Sequence, residues 1–103
     1  MLRYCANLSL LFTEYPLIER FAAAKSAGFD AVEIQFPYEL SPKAIRSELD
    51  NHDLELVLIN VPAGNLMQGG DGIASVPGRE QEFRRAVLQT LPYAEELGVR
   101  CVN

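Results

Sequence analysis

A parallel α/β fold in the order β-α-β-α-β-α-β is what this 103-residue sequence predicts. Three observations predict it. Short apolar runs of strand length alternate with longer stretches of helical periodicity. Glycine, or a Ser-Pro pair, stands at the junctions between them. Each strand-plus-helix unit is roughly 25 to 45 residues long, the scale of a βαβ crossover.

Taken in order, Arg3 to Asn7 is a first strand of mixed apolar and polar character. A helix follows from Tyr15, with Pro16 in its first turn, where a missing N–H has no consequence. Leu17, Phe21 and Ala24 recur at helical spacing, and Gly28 is placed to end the helix in a left-handed conformation. Ala31 to Phe36 alternates with period two and reads as a strand. Ser41-Pro42 opens a second helix with a hydroxyl N-cap and proline at the first helical position, running to about Asn51. Leu54 to Asn60 is apolar on both faces except at Glu55, as expected of a buried parallel strand. A loop with five glycines follows, Val61 to Gly78. It is longer than ordinary βα connections, and such loops tend to be functional or mobile. Arg79 to Leu97 reads as the longest helix, with an apolar stripe of Phe83, Val87, Leu91, Ala94 and Leu97. Pro92 lies inside it and predicts a kink or a split near Leu88. Gly98 ends the helix, and Val99 to Asn103 begins a fourth strand.

Composition narrows the function classes. A hydrophobic share of 49% is enough to build a core, and no apolar run approaches the roughly 20 residues of a membrane span. Nor does the N-terminus form a secretory signal, since Asn7, Ser9 and Thr13 interrupt any apolar stretch. Nine Lys and Arg against fourteen Asp and Glu give a net charge of −5, which argues against nucleic-acid binding. Cys5 and Cys101 fit no CxxC or zinc spacing and read as two reduced core thiols of a cytoplasmic protein. There is no GxxxxGK[ST] loop, no GxGxxG after the first strand and no GxSxG; one histidine precludes a His-pair metal motif.

Strand parity favours a barrel over a doubly wound sheet. Val32, Ile34 and Phe36 share one face, which leaves Glu33 and Gln35 for the interior. Asn7, Asn60 and Asn103 stand at C-terminal strand ends, the rim where barrel enzymes carry their sites. Glu33, as an inward carboxylate, needs a hydrogen-bond partner, an ion pair or a metal. Asn7 and Asn60 are suited to a polar substrate or to Asx turns in their own loops. Arg79 sits at a helix N-terminus, against the dipole, which points to an anion contact or to pinning of the loop. His52 lies in the turn before the third strand, away from the rim. A barrel takes about 250 residues, so four strands and three helices make just under half. The expectation is a partial barrel domain over residues 1–103, truncated after its fourth strand.

The run Tyr4 to Tyr15 resembles the opening of hydroxypyruvate isomerases. So do Ala27-Gly28-Phe29-Asp30-Ala31-Val32-Glu33 and Phe36-Pro37-Tyr38, and the blocks Asn60-Val61-Pro62-Ala63-Gly64, Gly72-Ile73-Ala74 and Pro77-Gly78-Arg79-Glu80. These cover nearly the whole chain in order, and 2-oxo-tetronate isomerases share most of them. The resemblance implies the N-terminal half of a xylose-isomerase-like TIM barrel. It implies an aldose–ketose type interconversion of hydroxypyruvate and tartronate semialdehyde, with a small hydroxy-keto acid as substrate. A divalent metal is expected in the full-length family member and none in this stretch. The family's two catalytic glutamates and its metal ligands lie beyond Asn103, so no catalytic or metal residue carries over and the stretch alone is expected to be inactive. What carries over is the substrate-side rim: Asn7, Glu33, Phe36, Asn60 and Arg79. The sequence departs from the pattern at Asn65-Leu66, commonly Asp-Trp, at Gly70-Asp71, commonly Glu-Arg, and at Pro92. Two alternatives stand beside this reading. One is a half-barrel binding or structural subunit that dimerises through its open sheet edges. The other is part of a 2-oxo-tetronate isomerase or sugar epimerase of the same superfamily.

Overall fold

In the computed structural model, which describes all residues from Met1 to Asn103, four strands and three helices alternate along the chain. They are β1 (Cys5–Asn7), α1 (Leu17–Ser26), β2 (Ala31–Ile34), α2 (Pro42–Asn51), β3 (Glu55–Ile59), α3 (Glu80–Leu97) and β4 (Cys101–Val102). The strands form one sheet in the order β1-β2-β3-β4, every neighbour parallel. This is the predicted α/β order, with each strand shorter at its ends than the apolar pattern implied. Single hydrogen bonds continue past the strand ends, such as Asn60 N–H to Gln35 O at 2.9 Å, but the regular ladder does not.

Local chemistry explains the helix boundaries. Pro16 is the residue before α1 rather than within it, and the Glu19 N–H bonds to the Pro16 carbonyl at 2.9 Å. At its other end Gly28 has φ +99°; its N–H bonds to Lys25 O at 3.0 Å and that of Phe29 to Ala24 O at 3.1 Å. These two bonds are a Schellman motif, which needs a residue with positive φ. Ser41 caps α2, its Oγ accepting from the Ala44 N–H at 3.1 Å, with Pro42 at the first helical position. Asp53, at φ +50°, fills the left-handed place after α2, and the Leu54 N–H returns to Leu49 O at 2.9 Å.

The core lies between one face of the sheet and the helix layer. Ala6, Val32, Ile34, Leu56 and Ile59 from the strands meet Leu17, Phe21 and Ala24 of α1, Ile45 and Leu49 of α2, and Leu97 of α3. The opposite, concave face is uncovered. Cys5 flanks buried Ala6 on that side of β1, and Cys101 sits on β4, so both thiols are free and exposed rather than in the core. Their strands are the two edges of the sheet, and neither thiol packs under a helix.

Two further expectations are corrected in α3. The helix runs unbroken through Pro92. Pro92 and Leu88 are both on the exposed side, so water can serve the carbonyl that proline leaves unbonded. The packed stripe is Ala86, Thr90, Tyr93 and Leu97, not the more apolar row from Phe83 through Leu91. Phe83 and Leu91 are 36% and 46% exposed. A tyrosine pair accompanies this rotation, one ring from the turn after β2 and one from α3. Tyr38 and Tyr93 pack edge-to-face at 4.9 Å, which turns the mixed face of α3 toward α2 and the loop before it.

Candidate functional site

Residues at the C-terminal strand ends form two adjoining clusters. The first joins β1 and β2, which pair in register with Asn7 opposite Glu33. There the Asn7 Nδ2 donates to Glu33 Oε1 at 3.2 Å, while Asn7 Oδ1 accepts the Ser9 N–H at 2.9 Å. Asn7 thus closes an Asx turn with its oxygen and presents its amide nitrogen to the carboxylate. Ser9 crosses back: its Oγ accepts the Gln35 N–H at 2.8 Å, and the Leu8 N–H bonds to Glu33 O at 2.9 Å. The Glu33 side chain is half-buried, with one oxygen engaged.

The second cluster surrounds a cleft of about 580 Å³ between the ends of β2, β3 and β4 and the loop after β3. Phe36 and Asn60 both line it, with Val61, Pro62, Ile73 and Asn103 among the other walls. Phe36 lies two residues beyond the end of β2, because the strand stops at Ile34 after a register shift against β3. A larger groove of about 860 Å³ runs beside α1, lined by Phe12, Ile18 and Ala22 among others, and none of Asn7, Glu33, Phe36, Asn60 or Arg79 lines it.

Arg79 contacts the far wall of the cleft from outside. Its Nε and one terminal nitrogen donate to both carboxylate oxygens of Glu82, at 2.6 and 2.9 Å, and its other terminal nitrogen donates to Gly72 O. The side chain therefore ties the loop to the first turn of α3. The Glu82 hydrogen bond raises the Arg79 guanidinium above its ordinary value and lowers the Glu82 carboxyl, so the pair stays charged. Three of the five N–H groups of Arg79 are engaged within the chain.

Sequence reasoning missed three residues that build this rim: Tyr38, Thr90 and Tyr93. The Tyr38 hydroxyl donates to Asn60 O at 2.5 Å and lies 3.0 Å from Thr90 Oγ1, which also reaches Ala86 O at 2.9 Å. The Tyr93 hydroxyl donates to Leu40 O at 2.6 Å. Burial pushes both phenols above the ordinary tyrosine range, so they remain donors at neutral pH. Tyr38 was legible only as part of the Phe36-Pro37-Tyr38 motif. Thr90 lies beside the apolar row of α3 rather than in it, and no local signal singles it out.

The amides of Asn7, Asn60 and Asn103, the carboxylates of Glu33 and Asp71 and a partly apolar cleft can bind a small polar molecule by its oxygens. They do not make a proton-transfer pair. His52 stands at the opposite end of the sheet, 3.8 Å from Glu48. Desolvation, then the carboxylates of Glu33 and Glu55, raise the Cys5 thiol above its ordinary value, so it is no nucleophile at neutral pH. No group of three or more His, Cys, Asp or Glu side chains converges as a metal donor set. Hard divalent cations take about six oxygens, whereas the rim carries Glu33, already bonded to Asn7, and Asp71 on the cleft wall, with no third carboxylate, His or Cys grouped with them. The residues present do not fit a metal.

A model of the xylose isomerase-like TIM barrel matches residues 21–103. The chain belongs to that family. Among curated relatives, it is 45% identical to hydroxypyruvate isomerase of Escherichia coli K12 over 103 residues, all of this chain and 40% of that protein. It is 41% identical to 2-oxo-tetronate isomerase of Haemophilus influenzae, again over all of this chain and 39% of that protein. Among solved structures, the AP endonuclease, family 2, of Brucella melitensis superposes with a TM-score of 0.91 at 46% identity, over 99% of this chain and 40% of that one. The chain thus spans about 40% of the length of the relatives it matches. Within the xylose isomerase-like barrels the strand-end rim is the expected place for a site, and both clusters lie there.

Proposed function

We propose that this stretch is the first half of the barrel of a hydroxypyruvate isomerase and supplies the substrate-side rim. The observation that carries the reading is 45% identity across the full chain to an enzyme of that name. The rim is in keeping with it. The reaction moves one proton from C3 to C2 and another between the two oxygens, with no net change in composition. Asn7 and Asn60 are suited to the substrate oxygens, and Glu33 holds the Asn7 amide in place.

In this reading the acid, the base and any divalent cation belong to residues outside these 103, because the chain's own groups form neither a carboxylate pair nor a metal donor set. The chain alone is therefore inactive. The test is an isomerase assay of the purified 103-residue chain and of a full-length barrel containing it, each with and without added divalent metal. Activity only in the full-length barrel is expected. Turnover by the chain alone defeats the division of labour, and a full-length barrel that turns over 2-oxo-tetronate but not hydroxypyruvate reassigns the substrate. That second substrate is favoured by the 41% identity to a 2-oxo-tetronate isomerase. The reading takes the protein to be cytoplasmic, in keeping with its two free thiols. It takes a small hydroxy-keto acid, and no nucleic acid, as partner.

A further inference from the structure

We infer that Tyr38 is a positioning residue for the rim: its hydroxyl clamps the peptide unit between Asn60 and Val61, and thereby sets how the Val61–Gly78 loop leaves β3. That this rim receives a substrate rests on the isomerase reading above; the clamp itself rests on geometry alone.

The peptide in question is held at both ends. Its carbonyl, Asn60 O, accepts from Tyr38 Oη at 2.5 Å, and its N–H, on Val61, donates to Asn103 O at 2.8 Å. One residue back, the Asn60 N–H donates to Gln35 O at 2.9 Å. A parallel bridge centred on Asn60 takes two bonds from β2's continuation: N–H to the carbonyl of residue 35, and carbonyl from the N–H of residue 37. The first is made. The second cannot be, because residue 37 is proline and has no N–H. The neighbouring residue supplies the missing donor from its side chain. Pro37 thus ends the ladder and Tyr38 satisfies the carbonyl that the ladder's end would leave open.

The ring is itself immobilised. It packs edge-to-face on Tyr93, whose hydroxyl is anchored on Leu40 O. Thr90 Oγ1 sits 3.0 Å from the Tyr38 oxygen. Tyr38 and Thr90 carry one hydroxyl proton each, while three contacts join them to each other, to Asn60 O and to Ala86 O. Asn60 O and Ala86 O are pure acceptors. With Tyr38 donating to Asn60 O, the single Thr90 proton serves either Ala86 O or the Tyr38 oxygen, and neither choice takes the Tyr38 proton from Asn60 O.

The experiment is residue-resolved amide hydrogen exchange by NMR on the 103-residue chain, comparing Tyr38→Phe with Tyr93→Phe. Both remove one hydroxyl from the same aromatic pair. In Tyr38→Phe the Val61 N–H exchanges about tenfold faster, the loss of roughly one hydrogen bond, while core amides such as those of Val32 and Leu56 change little. In Tyr93→Phe Val61 keeps its protection. If Val61 is unchanged in Tyr38→Phe, or if every amide accelerates alike, the clamp is wrong. The unsubstituted chain gives an independent readout should Tyr38→Phe not fold. The Tyr38 hydroxyl proton is then expected as a slowly exchanging resonance coupled to the Asn60 carbonyl carbon, and its absence overturns the inference. In a full-length barrel the same substitution raises KM for hydroxypyruvate about tenfold with a smaller change in kcat. Unchanged constants overturn the positioning role, whereas a full-length barrel inactive before substitution defeats the isomerase reading and leaves the exchange result standing.

Discussion

Ser41, Glu80 and Glu82 carry effects that single side chains exert on their own helices. Ser41 Oγ satisfies one otherwise open N–H of α2, so Ser41→Ala lowers stability by about 1 kcal/mol, measured by urea unfolding. A larger loss is expected at Phe21, wholly buried where α1 meets the sheet: Phe21→Ala costs about 3–5 kcal/mol in the same measurement. Three carboxyls titrate below their ordinary values: Asp30 through its hydrogen bond from Lys25, Glu80 through backbone N–H groups including that of Gly78, and Glu82 through Arg79. A carboxyl that ionises more readily folded than unfolded contributes stability above its unfolded value and loses it as pH falls through the folded one. The melting temperature is therefore flat at neutral pH and declines as the solution is acidified below about 4.5, the ordinary value for glutamate. A melting temperature that rises on acidification contradicts these assignments.

At the scale of elements, α3 departs furthest from its sequence pattern. Phe83 and Leu91 of its apolar row are exposed and only Leu97 of that row is fully buried, while the polar Thr90 is buried. A helical pattern reports which residues prefer burial but not which neighbour the helix meets. Here the neighbours are α2 and Tyr38 in the loop before it, and the hydroxyl of Thr90 meets that of Tyr38. Pro92 was expected to interrupt the helix and does not, because the exposed face tolerates the lost bond. Restoring the N–H with Pro92→Ala is expected to stabilise the chain by about 1–3 kcal/mol, read as a higher urea midpoint with an unchanged slope. The loop after β3 is likewise less open than its five glycines imply. Ile73 is buried, Gly72 is bonded to Arg79, and a short 3₁₀ turn spans Leu66–Gln68.

Across the whole molecule, only 18 of 103 residues are buried, and the radius of gyration is 14.3 Å against about 13 Å for an average domain of this length. Both numbers follow from a sheet covered by helices on one face and open on the other. Leu2 and Tyr4 near β1 and Val102 in β4 are exposed beside unpaired strand edges. Such edges template further pairing, so the isolated chain is expected to self-associate, with a sedimentation mass that increases with concentration. A monomer at every concentration would count against that. Exposure of the concave face is also why Cys5 and Cys101 are accessible rather than buried.

By itself the sequence determined the alternation of strands and helices, the capping of α1 and α2, the parity that sets Val32 and Ile34 toward the helices, and the strand-end placement of Asn7 and Asn60. Each of these depends on a residue and its near neighbours in the chain, where hydroxyl caps, glycines and period-two patterns act directly. The tertiary structure alone decided the rotation of α3, the Asn7–Glu33 and Arg79–Gly72 bonds, and the hold of Tyr38 on Asn60 O. These join residues as far apart as Tyr38 and Thr90, and no local preference encodes a partner 52 positions away. Such contacts exist only once β2 and β3 lie side by side and α3 crosses behind them, so their energy belongs to the packed fold rather than to any segment of the chain.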